Sequence, residues 1–505
     1  MKIKKLKLLL ILLSVAVISN AADFEVGGIA YNVVSLDNLT CEVASKPNDI
    51  KYRGHITIPD NVTFKEHRFT VVAIGEKAFS GSKITSIVLP NTITEFKERA
   101  FSGCDLLTSI KLPQNLSIIG NSCFASSNLI SISFPITIKQ IDSEAFSGCK
   151  KMTSFTIPDS ITSLSDRLLW GCSSLKKIIW HNNVYSIGES CFLGCTSLIS
   201  VTIPQSIDTI GPSCFSGCKG LSHISLPKNL KYLPHSCFSG CASLSSIELP
   251  DSILDIGVDC FNACNSLITI RIPENVKEIK ETTFRGCQHL KNVIFLGEKV
   301  HTIGPNAFYE CSALSNIKLP KSIRGIERGA FSYCTKLVNI DLPPNLRYID
   351  QYAFSHVNPK KFVLPPSFVY LGIEAWSVLE TLIIQYSEKP FKWDNDMGQY
   401  AQNLWIDRDF NAKSSYKLFY KVQNLKIGPH EDVLNKLPLI MRNDPITITS
   451  VFPEPPHVAE FRNNIYLNTI LYVPDESLEL YKADSVWGKF LTIKPMSQNP
   501  NDIQP

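Results

Sequence analysis

Cysteine and histidine are the side chains of this chain best suited to chemistry, and their spacing decides what chemistry that would be. Sixteen of the 505 residues are cysteine. Ten of them close an aromatic-x-Gly-Cys step or its equivalent (Cys104, Cys149, Cys172, Cys195, Cys218, Cys241, Cys264, Cys287, Cys311, Cys334), and five precede the aromatic (Cys123, Cys191, Cys214, Cys237, Cys260). Disulfides or a metal site are the first readings of so many cysteines. Yet Ser127, Ala145 and Thr283 fill equivalent positions elsewhere, which marks a small buried slot. The Cys191/Cys195 spacing, C-x-x-x-C, is not the usual zinc spacing. Residues stacked on neighbouring strands about 4.8 Å apart with parallel Cβ vectors lie beyond ordinary disulfide reach. Buried free thiols are therefore expected, with no metal and no cofactor. His181 and His223 should point outward about two rungs apart, with no cysteine nucleophile on that face. No H-E-x-x-H, G-x-S-x-G, phosphate-binding glycine loop or carboxylate pair accompanies them, so the sequence carries no enzyme signature.

The elements that hold these residues repeat. LLTSIKLPQNLSIIGNSCF (106–124), SLISVTIPQSIDTIGPSCF (197–215) and SLSSIELPDSILDIGVDCF (243–261) are one unit. Its closing residue falls at Phe79, Phe101, Phe124, Phe146, Leu169, Phe192, Phe215, Phe238, Phe261, Phe284, Phe308, Phe331, Phe354 and Trp376, at intervals of 22 to 24 residues. The end of each L-x-x-I-x-L-P stretch alternates apolar and polar residues, as in Ile110, Lys111 and Leu112, the period of a half-buried strand. No unit can bury its apolar side alone, so the units must stack into a solenoid, with a parallel β-sheet on one face and short turns or irregular segments on the other. Proline at the strand end stops the ladder, and glycine in F-x-G-C is expected at positive φ. Less regular strands should continue through the pairs Leu382/Ile384, Leu404/Ile406, Leu425/Ile427, Ile446/Ile448 and Leu471/Val473.

Length alone would suggest about three domains, but the repeats predict one elongated domain. Residues 22–51 are expected to form an N-terminal cap, 52–376 the regular repeats, 377–460 divergent repeats, 461–496 a closing segment and 497–505 a disordered tail. In the closing segment Leu478, Leu480, Tyr481, Trp487 and Phe490 suit a short amphipathic helix. Residues 1–21, with a lysine-rich start, an apolar run from Leu8 to Ile18 and small residues at Ser19 and Ala21, read as a secretory signal peptide. The run is too short for a membrane anchor. The net charge of +4 resides in Lys2, Lys4, Lys5 and Lys7, and the remainder is balanced. Such a neutral chain does not suit a nucleic-acid binder, and 44% apolar composition excludes general disorder.

The I-x-L-P…I-G-x-x-A/C-F-x-G-C unit behind a signal peptide resembles the BspA-like, or Treponema-type, branch of leucine-rich repeats. The segment LYVPDESLELYKADSVWGKF is similar to the closing segment of many such proteins. The resemblance covers residues 52–376 strongly and 377–496 moderately. It implies a leucine-rich-repeat solenoid, exported to the cell surface or beyond, with a periplasmic location as the other possibility. It also implies a non-enzymatic adhesin that recognises host matrix, host cell-surface or other bacterial macromolecules, protein or glycan. The expected state is a monomer without a transmembrane anchor. A glycan-capture component of a nutrient-uptake system and a structural or assembly protein are the alternatives.

Binding chemistry would rest on the outward strand positions: Val88, Lys111, Ser133, Thr156, Ile179, Thr202, Ser225, Glu248, Arg271, Ile294, Lys318, Asp341 and Val363, beside a row rich in Ser and Thr. These rows expose no Trp or Tyr, which weakens the glycan-capture reading. Within them one unit departs from the pattern. Trp180-His181 replaces Leu-Pro, and Lys176, Lys177, Ile179, His181, Asn182, Asn183 and Tyr185 gather basic, apolar and amide groups. With Thr202 and His223 on the following rungs, these are the candidate ligand-binding residues.

Overall fold

The computed structural model describes residues 22–504, apart from 389, 394–398, 408–409, 413–418, 421, 429–444 and 459. The expected signal peptide, 1–21, lies outside the described residues. The chain forms two compact units, 1–250 and 251–505. Both are built from parallel β-solenoid turns.

In the first unit, Phe24–Val26, Ile29–Ser35 and Thr40–Val43 form an antiparallel meander. Thr40–Val43 then pairs in parallel with His67–Ile74, which hands the ladder to Glu95–Phe96, Ile118–Ile119 and Gln140–Ile141. This meander thus shares a sheet with the repeats. Phe24 packs between Tyr31, Phe64 and Phe69 with ring centroids 4.7 to 5.5 Å apart. Tyr52 fixes the junction: its hydroxyl accepts from Ala30 N and donates to Ala44 O, both at 3.0 Å.

Each repeat carries three hydrogen-bonded rows where the sequence reading supplies one. The front row holds the L-x-x-I-x-L strands, such as Ser154–Thr156 against Lys177–Ile179 and Ser200–Thr202 against His223–Ser225. In the first unit it breaks into short ladders of mostly three residues. A side row of two-residue strands is more continuous, as in Ser163–Leu164, Ser186–Ile187 and Thr209–Ile210. Two-residue strands are too short to show an alternating pattern. The third row lies in the turns. Arg99, Phe101 and Gly103 donate their N–H groups to Asn121 O, Cys123 O and Ala125 O of the next rung (2.9, 2.8 and 2.7 Å), and Ser213, Phe215 and Gly217 repeat the pattern. Every second N–H aims along the stack because residues two before and two after the aromatic adopt positive φ: Arg99 +52° and Gly103 +68°, Ser213 +54° and Gly217 +67°.

The core is the expected set of ladders. All the closing aromatics and Leu169 are buried. Phe79, Phe101, Phe124 and Phe146 stack at 5.3 to 5.4 Å with nearly parallel rings, and Phe192, Phe215 and Phe238 resume beyond Leu169.

In the second unit the side row runs through Glu278–Ile279, Thr302–Ile303, Gly325–Ile326, Tyr348–Ile349 and Tyr370–Leu371 to Phe391–Trp393 and Phe410–Ala412. A front sheet joins Lys361–Leu364, Leu379–Ile384, Gln399–Ile406, Asn424–Ile427, Thr447–Ser450, Ile470–Val473 and Thr492–Pro495. Phe261, Phe284, Phe308, Phe331 and Phe354 form its aromatic ladder. Four of the five divergent inward pairs are buried, but Ile446 is exposed. The register Leu425↔Ile448 and Ile427↔Ser450 makes Ile448 and Ser450 the inward pair. Ser450 can fill an apolar slot because its Oγ pairs with the Tyr481 hydroxyl at 2.7 Å.

The closing helix is Leu478–Ala483. Tyr481, Trp487 and Phe490 are buried, whereas Leu480 faces solvent. Trp487 Nε1 donates to Pro456 O at 2.8 Å. Residues 499 to 503 of the tail lie against the front sheet. Buried Lys426 needs a counter-charge, and Asp502 Oδ1 (2.8 Å) and Ile503 O (2.9 Å) supply it. Asn499 Nδ2 also donates to Thr449 Oγ1 at 2.9 Å.

Candidate functional site

The cysteines occupy the core. All sixteen are buried thiols. The F-x-G-C thiols donate to the carbonyl of the aromatic-slot residue one rung back: Cys104 to Phe79 O (3.1 Å), Cys172 to Phe146 O (3.2 Å), Cys218 to Phe192 O (3.1 Å) and Cys311 to Phe284 O (3.1 Å). Ser127 fills the same slot with its Oγ 3.4 Å from Cys149 Sγ. Burial pushes these thiols up from their ordinary 9.0, Cys149 to about 11 and Cys104, Cys218 and Cys287 to about 12. A thiol held neutral at that depth is a packing group, not a nucleophile. Among the described residues no group of three His, Cys, Asp or Glu side chains could hold a metal.

Surface chemistry is left to the front face. Of the thirteen outward positions all are exposed except Val363, which is half-buried. Lys177 and Ile179 stand on one strand and are exposed, while Ile178 between them turns inward. Lys176 is exposed beside them, with its N–H on Thr153 O at 2.9 Å. Thr202 and His223 project from Ser200–Thr202 and His223–Ser225, which form a separate ladder. His223 Nδ1 lies 3.1 Å from Ser222 Oγ.

Trp180 and His181 change the local backbone. Elsewhere the strand-ending proline opens a turn, its carbonyl accepting from the residue three ahead, as Pro158 O does from Ile161 N (2.9 Å) and Pro204 O from Ile207 N (3.1 Å). At 181–184 that bond is not made, and Asn183 N donates to His181 Nδ1 at 3.2 Å instead. The His181 ring therefore folds back over the turn rather than standing out from the strand. With Nδ1 accepting, the neutral ring carries its proton on Nε2, and that atom is buried without a partner. Trp180 is half-buried, its ring edge-on to Phe192 at 6.0 Å. Asn182 and Asn183 are exposed at the corner. Tyr185, also exposed, belongs to the side row, between Thr162 O and Asp208 N. The structure thus brings Lys176, Lys177 and Ile179 together on the front, His181 to Asn183 at the corner and Tyr185 around it.

The repeat geometry is matched by the comparisons. The chain matches the BspA type leucine-rich repeat region, six copies, over residues 72–198, 162–291 and 254–383. This chain belongs to the BspA-type leucine-rich repeat family. A leucine-rich repeat protein from Bacteroides ovatus is 30% identical to it, with a TM-score of 0.59, over 68% of this chain and 95% of the other. A leucine rich cell surface protein from Faecalibacterium prausnitzii is 28% identical, with a TM-score of 0.47, over 64% of this chain and 95% of the other. No curated protein matches the chain. Beyond the front face, the BspA-type repeats of the second unit carry polar groups that the sequence reading passes over. Lys299, His301, Arg324 and Arg347 line an open groove there. The signal for the last three is a basic residue recurring at the position two before the side-row isoleucine.

Proposed function

We propose that the protein is an exported, surface-presented, non-enzymatic binding protein that recognises host or microbial macromolecules through its front face. The observation that carries the reading is that face itself: rung after rung, side chains that are mostly polar project to solvent while their neighbours fill the core. The corner at His181–Asn183 is its most distinctive part. Lys176 and Lys177 add charge, Ile179 and Tyr185 add apolar contact, and Thr202 and His223 extend the same surface. No described helix is long and apolar enough to cross a membrane.

The test is to array the purified chain against matrix proteins, epithelial surfaces and glycans, with added protease on whole cells as the check on surface display. Saturable binding to at least one target is expected. Binding to none, or a chain protected on intact cells, would refute the reading. Glycan capture is the second reading, favoured by exposed Tyr185 and Tyr232. It predicts binding that survives protease treatment of the target and is lost on glycan removal.

A further inference from the structure

Lys277, His301, Arg324 and Arg347 occupy one position in four consecutive repeats of the second unit, each a single residue before a side-row strand. The backbone stacks them directly. His301 N donates to Lys277 O (2.9 Å), Arg324 N to His301 O (2.8 Å) and Arg347 N to Arg324 O (2.7 Å). All four side chains are exposed. Among the described residues neither guanidinium has an ion-pair partner. Of the carboxylates in these repeats, Glu298 accepts from Lys321 N, and Glu327 from the Tyr348 hydroxyl at 3.2 Å. Three of the four basic residues, His301, Arg324 and Arg347, line an open groove of about 630 Å³ with Lys299, Ser322, Asn345 and Ser367. Tyr348 lines an adjoining pocket with His301, Arg324 and Arg347, and its ring fills the space that a side chain at Gly325 would take.

Like charges repeated at about 4.8 Å repel by about 1 kcal/mol per adjacent pair even in water. Neither guanidinium is neutralised by a direct ion pair among the described residues, and a ligand carrying anions at the same period would supply one. An extended peptide places same-face side chains about 6.6–6.8 Å apart, out of step with the rungs by its second residue. A linear polysaccharide advances by about one ring per sugar, close to one rung. We infer that this basic ladder binds a linear anionic polysaccharide, with the arginines pairing sulfate or carboxylate groups on successive sugars and the Ser and Asn side chains meeting hydroxyls. Guanidinium suits both anions because it can pair in a bidentate fashion. The site is separate from the front face and does not depend on what that face binds.

The probes are immobilised polygalacturonate and dextran sulfate, with neutral dextran and poly-L-glutamate as comparators. The chain is expected to bind at least one of the two anionic polysaccharides saturably, and the stronger of them identifies the anion. Binding should weaken steeply as salt shortens the screening length from about 10 Å to about 3 Å. Arg324→Glu/Arg347→Glu should lower affinity by about tenfold or more. Lys139→Glu/Lys231→Glu in the first unit changes net charge equally and should stay within about twofold of the parent. Arg324→Gln/Arg347→Gln keeps the aliphatic stems and should lose affinity with an unchanged melting curve. Equal losses in both charge-reversed variants, tighter binding to poly-L-glutamate, or no binding to either polysaccharide at low salt would overturn the inference. Front-face binding should be the same in all these variants.

Discussion

The carbonyls of Phe79, Phe146 and Phe192 each accept a thiol from the next rung, so every cysteine in that slot must stay protonated to hold its place. An unfolded thiol ionises near its ordinary 9.0, whereas burial holds Cys149 to about 11 and Cys218 to about 12. The folded state therefore binds these protons more tightly. Their contribution is complete below pH 9 and is lost as pH rises through the window to about 12. Urea unfolding should show a lower midpoint at pH 10 than at pH 7, and an unchanged midpoint would contradict the thiol account. Alkylation should likewise spare the cysteines in the native chain at pH 8 and reach all sixteen in denaturant. A second residue-scale prediction concerns Lys426. Its Nζ is held by Asp502 and the Ile503 carbonyl, so Asp502→Asn leaves a buried ammonium short of its counter-charge. The expected cost is about 3 kcal/mol in urea unfolding, and Lys426→Met in the same chain should recover most of it. Loss of less than about 1 kcal/mol, within the range of a surface pair, would show the tail contributes little. The cysteine slots were legible in the sequence because Ser127 shares the one after the aromatic and Ala145 the one before it. The Lys426 partner was not, since the two residues stand 76 apart and nothing local marks them.

At the scale of the repeat, the turn row depends on two left-handed residues, only one of which is usually glycine. The F-x-G glycine announces its positive φ. Its companion, Ser190, Ser213 or Ser236 at +53° to +55°, does not. The side row was equally silent, because two residues cannot display a period. Ile446 shows a different limit: an Ile-x-Ile pattern predicts an inward pair, but the register set by Asn424–Ile427 puts Ile448 and Ser450 inside. Hydrophobic pattern settles a strand's face only when no buried polar partner, here Tyr481, satisfies the competitor. The glycine position offers a clean test of the turn geometry. A Cβ at Gly217 would meet Gly194 Cα at 3.7 Å, ordinary contact, so φ alone demands glycine. Gly217→Ala should cost about 1 kcal/mol. Ala263 holds φ +57° in the same position, and Ala263→Gly should stabilise by about 0.5 kcal/mol after the entropy of the unfolded glycine is counted. Thermal unfolding of the two variants should move in opposite directions. Shifts of the same sign would contradict the strain argument.

At the scale of the whole chain, balanced composition hides segregated charge. A tally of acidic and basic residues points toward contact recognition in place of electrostatic capture, yet Lys277, His301, Arg324 and Arg347 align once the repeats are stacked. Stacking converts a column of the repeat alignment into a physical row, and charge must be counted by row. The front face was legible by the same logic: twelve of its thirteen outward positions are exposed as the alternation requires. The corner at His181 was marked by the lost proline, but the ring's return to Asn183 N was not, because it follows from a backbone bond that fails to form. The account's central claim is that this face, with its irregular corner, is a binding surface. The most direct measurement is a saturation binding curve on the target found by the array, comparing the parent with Lys177→Glu/Ile179→Asp, both exposed and outside the core. The account predicts at least a roughly tenfold loss of affinity with unchanged melting, the scale of a central contact in an interface. Identical curves for parent and variant would contradict it.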